Sequence, residues 1–423
     1  VLGDHSWGVR RRFKLLLIVV FAAACRGQAG AAFPAVGGDL TGELKLFPQI
    51  ANFALPWRIT LKPAIDGGQG FALVVDAAGT RLQAEGLVDL ATGDGSWKIE
   101  EAQVDVATWF AASALKFAPE LEGTVAKGTV AITGTGTLKN GQPAGRIRIE
   151  WRDGSLRQEA EGWALDGIAF QGEFAVDGSQ MSLVSTSPLE VTIGLVTSAR
   201  FGARNVSINA LLNERRALSV RAARVEIAGG EVTVEPCEIP LSPLVVNANL
   251  QISRVGLQDI VFLIPTAGLA EARGRIDGVV QVKWRAEAGF QLGLGHLALR
   301  ADEPTIVRLT AAPGILTGHV PQYIDLLPPW TGPLARWIRP ENPAYGNMRS
   351  IELGQTELKV KTLDVQLTPE GDERGRSATV RLVAQPTQMG SAVKEVTFDV
   401  NVAGPIAAVV KLGLERGFSL NAH

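Results

Sequence analysis

From about residue 57 onward, apolar and polar residues alternate with a period of two along most of the chain. In residues 146–152, Ile147, Ile149 and Trp151 share one parity while Arg146, Arg148, Glu150 and Arg152 share the other. Leu244, Val246, Ala248, Leu250 and Ile252 repeat the arrangement against Asn247, Asn249, Gln251 and Ser253. Ala378, Val380, Leu382 and Ala384 form a further run, followed by Val396, Phe398, Val400 and Val402. Successive side chains of a strand point to opposite faces, so this pattern predicts half-buried antiparallel strands. Asn140-Gly141, Asp153-Gly154, Asp177-Gly178, Gly229-Gly230 and Glu370-Gly371-Asp372 supply turn chemistry between them. Residues 280–299 read as a hairpin with Val280, Val282, Trp284, Phe290, Leu292 and Leu294 on even positions, then Leu297 and Leu299 on odd ones. That parity switch near His296, and another between Val360 and Leu363, predict bulges.

Two segments break the alternation. Residues 106–119, with Trp109, Phe110, Leu115 and Phe117, have helical spacing, and so do residues 257–269 up to Pro265. Short helices are therefore expected near 106–118 and 257–264. Each follows an alternating strand and precedes a small-residue link and another strand, at an offset of about 150 residues. This spacing reads as two copies of one unit.

Residues 313–346 carry seven prolines, which deny the stretch a central place in a sheet. The same stretch holds Leu326, Leu327, Trp330, Leu334, Trp337 and Ile338. It reads either as a loop with a short helix packed on the sheet or as a peripheral lid or membrane-surface element. Arg336 and Arg339 beside Trp337 suit the latter.

The N-terminal residues differ in kind. Arg10, Arg11, Arg12 and Lys14 precede ten apolar residues, 15–24, and Ala29-Gly30-Ala31 follows. Ten residues rise only about 15 Å as a helix, half of a bilayer core, so residues 1–31 read as a secretory signal, with a short membrane anchor as the alternative. Residues 22–25, ending at Cys25, also loosely fit a lipoprotein processing box. Removing residues 1–31 would take the net charge from −2 to −6 and leave Cys237 alone, so the exported chain would fold without an internal disulfide.

Composition narrows the chemistry. At 46% hydrophobic and 20% charged, the chain is neither disordered nor a multispan membrane protein. A net charge of −2 without a basic stripe excludes nucleic acid as an expected partner. Of the histidines, His5 lies in the N-terminal segment and His423 at the end of the sequence, and His296 and His319 are far from any acid–base partner in sequence. Zinc, nucleophile-elbow and phosphate-loop motifs are missing. The glycines of residues 123–128 and 274–278 lack the Lys a phosphate site needs, and Cys237 reads as a small buried residue. No catalytic residue, metal ligand or cofactor is predicted, and an enzyme is not expected.

What remains is a succession of hairpins with one apolar side. Such a meander can curl into a trough lined by aliphatic side chains, the kind of surface that suits acyl chains. Residues 247–304 order a strand, a helix, the small-residue link Ala272, Gly274, Ile276, Gly278, Val280, and a strand pair. This order resembles the YdbH-like family of AsmA-like, TamB- and YhdP-related proteins. Residues 357–406 are similar to that family's closing hairpin and last long strands.

The resemblance implies a mostly β fold, an elongated antiparallel meander curled into an open, taco-like hydrophobic groove with a few short helices. It implies phospholipid transport between inner and outer membranes in the periplasm of a diderm envelope, with phospholipids, a membrane surface and a small outer-membrane lipoprotein as partners. An older label for the family is dicarboxylate transport, for which no basic constellation is evident. On this reading residues 32–240 form the N-terminal part of the groove and 241–423 its C-terminal part. The lining is expected to comprise Leu250, Ile252, Val280, Val282, Trp284, Phe290, Leu292, Leu294, Val380, Leu382, Phe398 and Val400. Val409, Val410, Leu412 and Leu414 lie in the last strand-like run and are expected to form a docking edge for strand addition. The alternatives are a structural or adhesin-like β-rod with a dry core and an exported carbohydrate-active enzyme.

Overall fold

The computed structural model describes residues 37–44, 55–65, 68–77, 79–117, 123–178, 182–198, 202–241, 243–263, 269–285, 289–327, 338–368 and 376–403. Almost all of the regular structure is antiparallel β, with three short helices among these residues. The chain forms two compact units. One comprises Val1–Ser198, Arg204–Ala223 and Glu238–Pro243, and the other Ala199–Ala203, Arg224–Cys237 and Leu244–His423.

In the first unit, β1 (Gly38–Leu44), β2 (Leu55–Ile65), β3 (Gly68–Ala77), β4 (Thr80–Val88), β5 (Gly95–Asp105), β6 (Thr124–Lys139), β7 (Gln142–Gln158) and β8 (Trp163–Asp177) each pair with the next. The far edge of β8 is shared by β9 (Ser182–Ser185) and β10 (Leu189–Thr197). The strands β11 (Gly202–Leu212), β12 (Ala217–Ile227) and β14 (Cys237–Pro240) each have residues in both units. Asn140 and Gly141 turn β6 into β7 with φ of 50° and 75°, the left-handed pair that a tight hairpin of this twist requires. Asp153-Gly154 is not the turn its composition suggests. It lies inside β7 as a bulge, where the register shifts between Trp151 and Gly154 and Asp153 takes φ of 52°. The Trp151 ring fills the space that a Cβ on Gly154 would need. Asp177-Gly178 closes β8, with the Gly178 N–H donating to the Pro143 carbonyl at 2.7 Å.

In the second unit, β13 (Gly230–Val234) pairs with β15 (Val245–Gly256), and the ladder continues through β17 (Arg275–Arg285), β18 (Gly289–Leu299), β20 (Leu358–Leu367), β21 (Arg376–Pro386) and β22 (Val396–Ala403). The strands β16 (Leu269–Arg273) and β19 (Thr305–Leu309) pair with each other, and β19 shares an edge of β20 with β18. The turn into β13 uses Ala228 and Gly229, φ 53° and 67°, one position earlier than the Gly-Gly pair suggests. Glu370-Gly371-Asp372 lies outside the described residues. Both expected parity switches are register shifts: one between Leu292 and Gly295 opposite β17, the other between Val360 and Thr362 opposite β21.

The two helical segments occupy equivalent places. Helix α1 (Val106–Phe117) follows β5, and α2 (Leu257–Leu263) follows β15. The last residue of each preceding strand, Asp105 or Gly256, pairs with the residue just after a left-handed glycine, Thr129 or Arg275. Those glycines are Gly128, φ 114°, and Gly274, φ 135°; a Cβ on Gly274 would collide with Thr305. Residues ahead of each glycine pair elsewhere, 124–127 with β7 and 269–273 with β19. Such shared irregularities support the reading of two copies of one strand–helix–glycine–strand unit.

The core of the second unit gathers Ala272, Ile276, Val307, Leu358 and Ala384, all between 0% and 2% exposed, with Val255, Leu257, Leu363 and Val396 around them. Helix α3 (Pro343–Glu352) packs Ala344, Met348 and Ile351 onto this cluster. Asn342 caps it by accepting from the Ala344 N–H at 3.0 Å, and Pro343 sits where a missing N–H costs nothing. The proline-rich stretch is therefore not peripheral at its ends. Thr317 is buried, and the buried Glu352 carboxylate accepts from the Leu316 N–H (3.0 Å), the Thr317 N–H (3.1 Å) and the Thr317 hydroxyl (2.7 Å). A lid would have left this backbone to water; the composition alone did not disclose a carboxylate 35 residues away to receive it.

Burial by itself would raise the Glu352 pKa. The donors from Thr317, Leu316 and Gly314 outweigh it and hold the carboxyl below its ordinary value. A depressed folded pKa contributes stability that is present above the unfolded value and lost as pH falls through the folded one. Glu352→Ala strands these donors and should cost about 2–4 kcal/mol, with Glu352→Gln, which keeps one acceptor, losing less. Urea unfolding monitored by circular dichroism checks this, and the wild-type advantage should shrink at pH below the usual glutamate range.

Candidate functional site

Residues directly opposite in an antiparallel pair share a face, so register traces continuous rows across strands. In the second unit one row runs Leu250, Val280, Gly295, Leu367, Ala378. Its neighbour runs Ile252, Gly278, Leu297, Val365, Val380, Val400. Ala248, Val282 and Leu292 form a third, and Leu363, Leu382 and Phe398 a fourth. Six strands at roughly 4.8 Å spacing make the second row about 24 Å long, beyond the roughly 15 Å reach of one bilayer leaflet.

Burial along this face is graded. At one margin Leu358, Ala384 and Ile276 are sealed in the cluster to which Leu257 and Val261 of α2 and Ile351 of α3 contribute. Away from it, Val280, Leu367 and Ala378 form a smaller buried cluster flanked by half-buried Ile252, Leu292, Leu297 and Val365. Farther out, Val282 and Trp284 are half-buried, and Val400 is 43% exposed. The opposite face is polar. Asn249 and Gln251 donate to Glu235 at 2.8 and 2.7 Å, the two bonds holding its carboxyl below the ordinary range. Gln281 donates to Asn247 at 3.1 Å, and Lys361 pairs with Glu395 at 3.1 Å. Solvated pairs of this kind contribute little stability; their effect is to keep this face toward water.

Ten of the anticipated lining residues fall on these rows or beside them in register: Leu250, Ile252, Val280, Val282, Trp284, Leu292, Val380, Leu382, Phe398 and Val400. Leu382 is buried and belongs to the sealed core. Phe290 stands opposite Trp284 in backbone register, its side chain outside the described set. Leu294 is the exception. The bulge after Leu292 turns it out of the row, leaving it 68% exposed in a shallow hollow with Asn249, Gln281, His296 and Gln366 of the polar face. Strict period-two reading placed it on the wrong side because the extra residue comes before His296, not at it. Val409, Val410, Leu412 and Leu414 lie outside the described residues, as does the 1–31 segment.

His296 has an acid neighbour that linear spacing hid: its Nε2 lies 2.7 Å from Asp364 across the β18–β20 pair. Both side chains are exposed on the polar face, and no nucleophile joins them. Among the described residues there is no His, Cys, Asp and Glu grouping able to hold a metal.

The first unit carries comparable rows that strand-by-strand reading did not single out. Ile59, Leu73, Ala84, Ile99, Gly134, Ile147 and Phe174 align across seven strands, next to Val75, Leu82, Ala102, Ile132, Ile149 and Gly172. Aromatic rings lie flat over glycines here. A Cβ on Gly136 or Gly145 would stand 2.6 or 2.8 Å from the Trp97 ring, and the Trp151 ring covers Gly154 in the same way. The available signal was glycine on the apolar parity of β6 and β7: Gly136 stands opposite Trp97, and Gly145 opposite Gly136 one strand farther.

A family model described as "YdbH-like: Intermembrane phospholipid transport protein YdbH" matches residues 18–317. No curated protein and no solved structure matches the chain.

The graded face makes a stability contrast. Leu358→Asp, at a fully buried position, should cost more than about 3 kcal/mol. Val400→Asp, on the open part, can reach water and should cost under about 1 kcal/mol. Chemical denaturation of the two variants compares them directly, and a similar loss in both would show the Val400 end to be dry.

Proposed function

Because the chain belongs to the YdbH-like family of intermembrane phospholipid transport proteins, we propose that its apolar rows hold phospholipid acyl chains and support their passage between the two membranes of a diderm envelope. The observation that carries this reading is the face itself. It is aliphatic along six paired strands, polar on its reverse, and, among the described residues, sealed at one margin only. Each methylene taken out of water is stabilised by roughly 0.8 kcal/mol. A surface that covers a chain on one side supplies only part of that, enough to shield the lipid in transit and little enough to return it to a bilayer, which covers it fully.

The finer parts of this reading are that residues 1–31 export the chain to the periplasm and that a small outer-membrane lipoprotein adds strands at the C-terminal end, where Val409, Val410, Leu412 and Leu414 lie. Among the described residues no helix is long and apolar enough to cross a membrane. A β-rod with a dry core accounts for the cluster around Ile351 and Leu358 but not for the half-open rows beyond it. A carbohydrate-active enzyme would need clustered carboxylates on the strands; Glu231, Asp302 and Glu395 instead pair singly with Arg224, Arg300 and Lys361, and Glu352 receives the backbone of residues 316–317.

Photo-crosslinking amino acids placed at Leu250 and Leu292 should capture phospholipid from the envelope, while the same groups at Gln251 and Arg285 should not. Mass spectrometry of the adducts reads the result. Equal capture on both faces, or none on either, would remove the lipid-holding reading.

A further inference from the structure

Two aliphatic residues of the second unit stand on the polar side of the sheet, away from the apolar rows. Val279 is 37% exposed and Leu294 68% exposed. In register Val279 lies opposite His296, and His296 opposite Gln366. Leu294 reaches the same side because β18 carries an extra residue between Leu292 and Gly295. The two aliphatic side chains line a shallow hollow together with Asn249, Gln281, His296 and Gln366. Gly293 beside it is buried, and the Gln281 side chain lies where a Cβ on that glycine would stand.

Each polar side chain of the rim is held from outside the hollow. Asn249 donates to Glu235 at 2.8 Å, Gln281 to Asn247 at 3.1 Å and Gln366 to Asp364 at 3.3 Å. His296 meets the same Asp364 through Nε2 at 2.7 Å. A side-chain amide has two N–H donors and an oxygen with two lone pairs. Each of the three amides therefore keeps its oxygen and one N–H for a ligand, and His296 keeps Nδ1. Side chains fixed in this way lose little further freedom on binding. No Asp, Glu, Lys or Arg lines the hollow.

We propose that this hollow binds a neutral saccharide. An amide offering an oxygen and an N–H side by side matches two adjacent hydroxyls, each of which both donates and accepts. The C–H face of a sugar ring covers aliphatic side chains such as Val279 and Leu294. A phosphate or carboxylate would meet amide oxygens without a cation, and an ammonium group would meet no carboxylate in the lining, so a charged ligand would give up its hydration for little return. The six side chains lie off the apolar rows, so the proposal does not rest on lipid holding.

Isothermal titration calorimetry of the full chain with maltotriose and with N-acetylchitotriose tests the hollow, alongside co-sedimentation with peptidoglycan sacculi. Wild type should bind at least one of these three probes. A trisaccharide that binds identifies a soluble ligand; binding to sacculi alone identifies a glycan strand. Gln366→Leu and Leu294→Ser, both at exposed positions, should each weaken that binding about tenfold, with the urea midpoint unchanged. Gln251→Leu, on the same face but bonded to Glu235 outside the hollow, should bind as wild type. No binding of any probe, undiminished binding in Gln366→Leu and Leu294→Ser, or an equal drop in Gln251→Leu would overturn the site. Lipid capture at Leu250 and Leu292 reads the other face, so the two results stand or fall separately.

Discussion

A sheet with one apolar face must have that face covered, and among the described residues of this protein the cover is incomplete. Backbone pairing is satisfied strand by strand, so the ladders stand whatever lies on top of them. The side chains on one face still meet water unless another layer arrives. In the second unit that layer is α2 through Leu257 and Val261, α3 and residues 312–317, and among the described residues it reaches one margin. Exposure therefore rises from zero at Leu358 and Ala384 to 43% at Val400. Fully exposing such a run would be unfavourable by roughly 25 cal/mol per Å² of apolar area, so a transient cover gains what a permanent one would have gained. Under the proposed function an acyl chain is such a cover.

Local backbone irregularities decide which residues belong to that face. Each bulge advances parity by one, and the side chains beyond it change sides. The bulge in β18 puts Gly295 opposite Leu367 and Leu297 opposite Val365, which keeps the rows continuous, at the cost of turning Leu294 outward. In the first unit the glycines act by absence. Trp97 lies across Gly136 and Gly145, lowering the surface to a smooth floor where two further side chains would have made it rough.

Alternation was enough to read the strands, their faces and the two helices, because period two and helical spacing are local properties. It also predicted where parity would switch in β20, since Val360 and Leu363 sit on opposite parities while both must reach the core. What stayed hidden depends on pairs distant in sequence. Asp153-Gly154 has turn composition, yet Trp151 stacked against it makes a bulge inside a long strand. His296 meets Asp364 only because β18 borders β20 after an excursion of 68 residues. Prolines between 313 and 343 correctly excluded a strand in the sheet but could not show that Glu352 receives the backbone of residues 316 and 317.

That carboxylate also bears on how the open margin behaves. Three donors converge on Glu352, and they outweigh the burial that would otherwise raise its pKa. Its charged form is therefore the one the fold selects at neutral pH, and the clamp loosens only when pH falls below the ordinary glutamate range. A histidine in the same place would have titrated near neutrality and made the contact a switch. With glutamate the contact is constitutive. Residues 316–317 and α3 stay joined beside the sealed margin. Under the proposed function, adaptation to a lipid falls to the half-buried side chains of the open rows, whose rotamers can change without breaking a buried hydrogen bond.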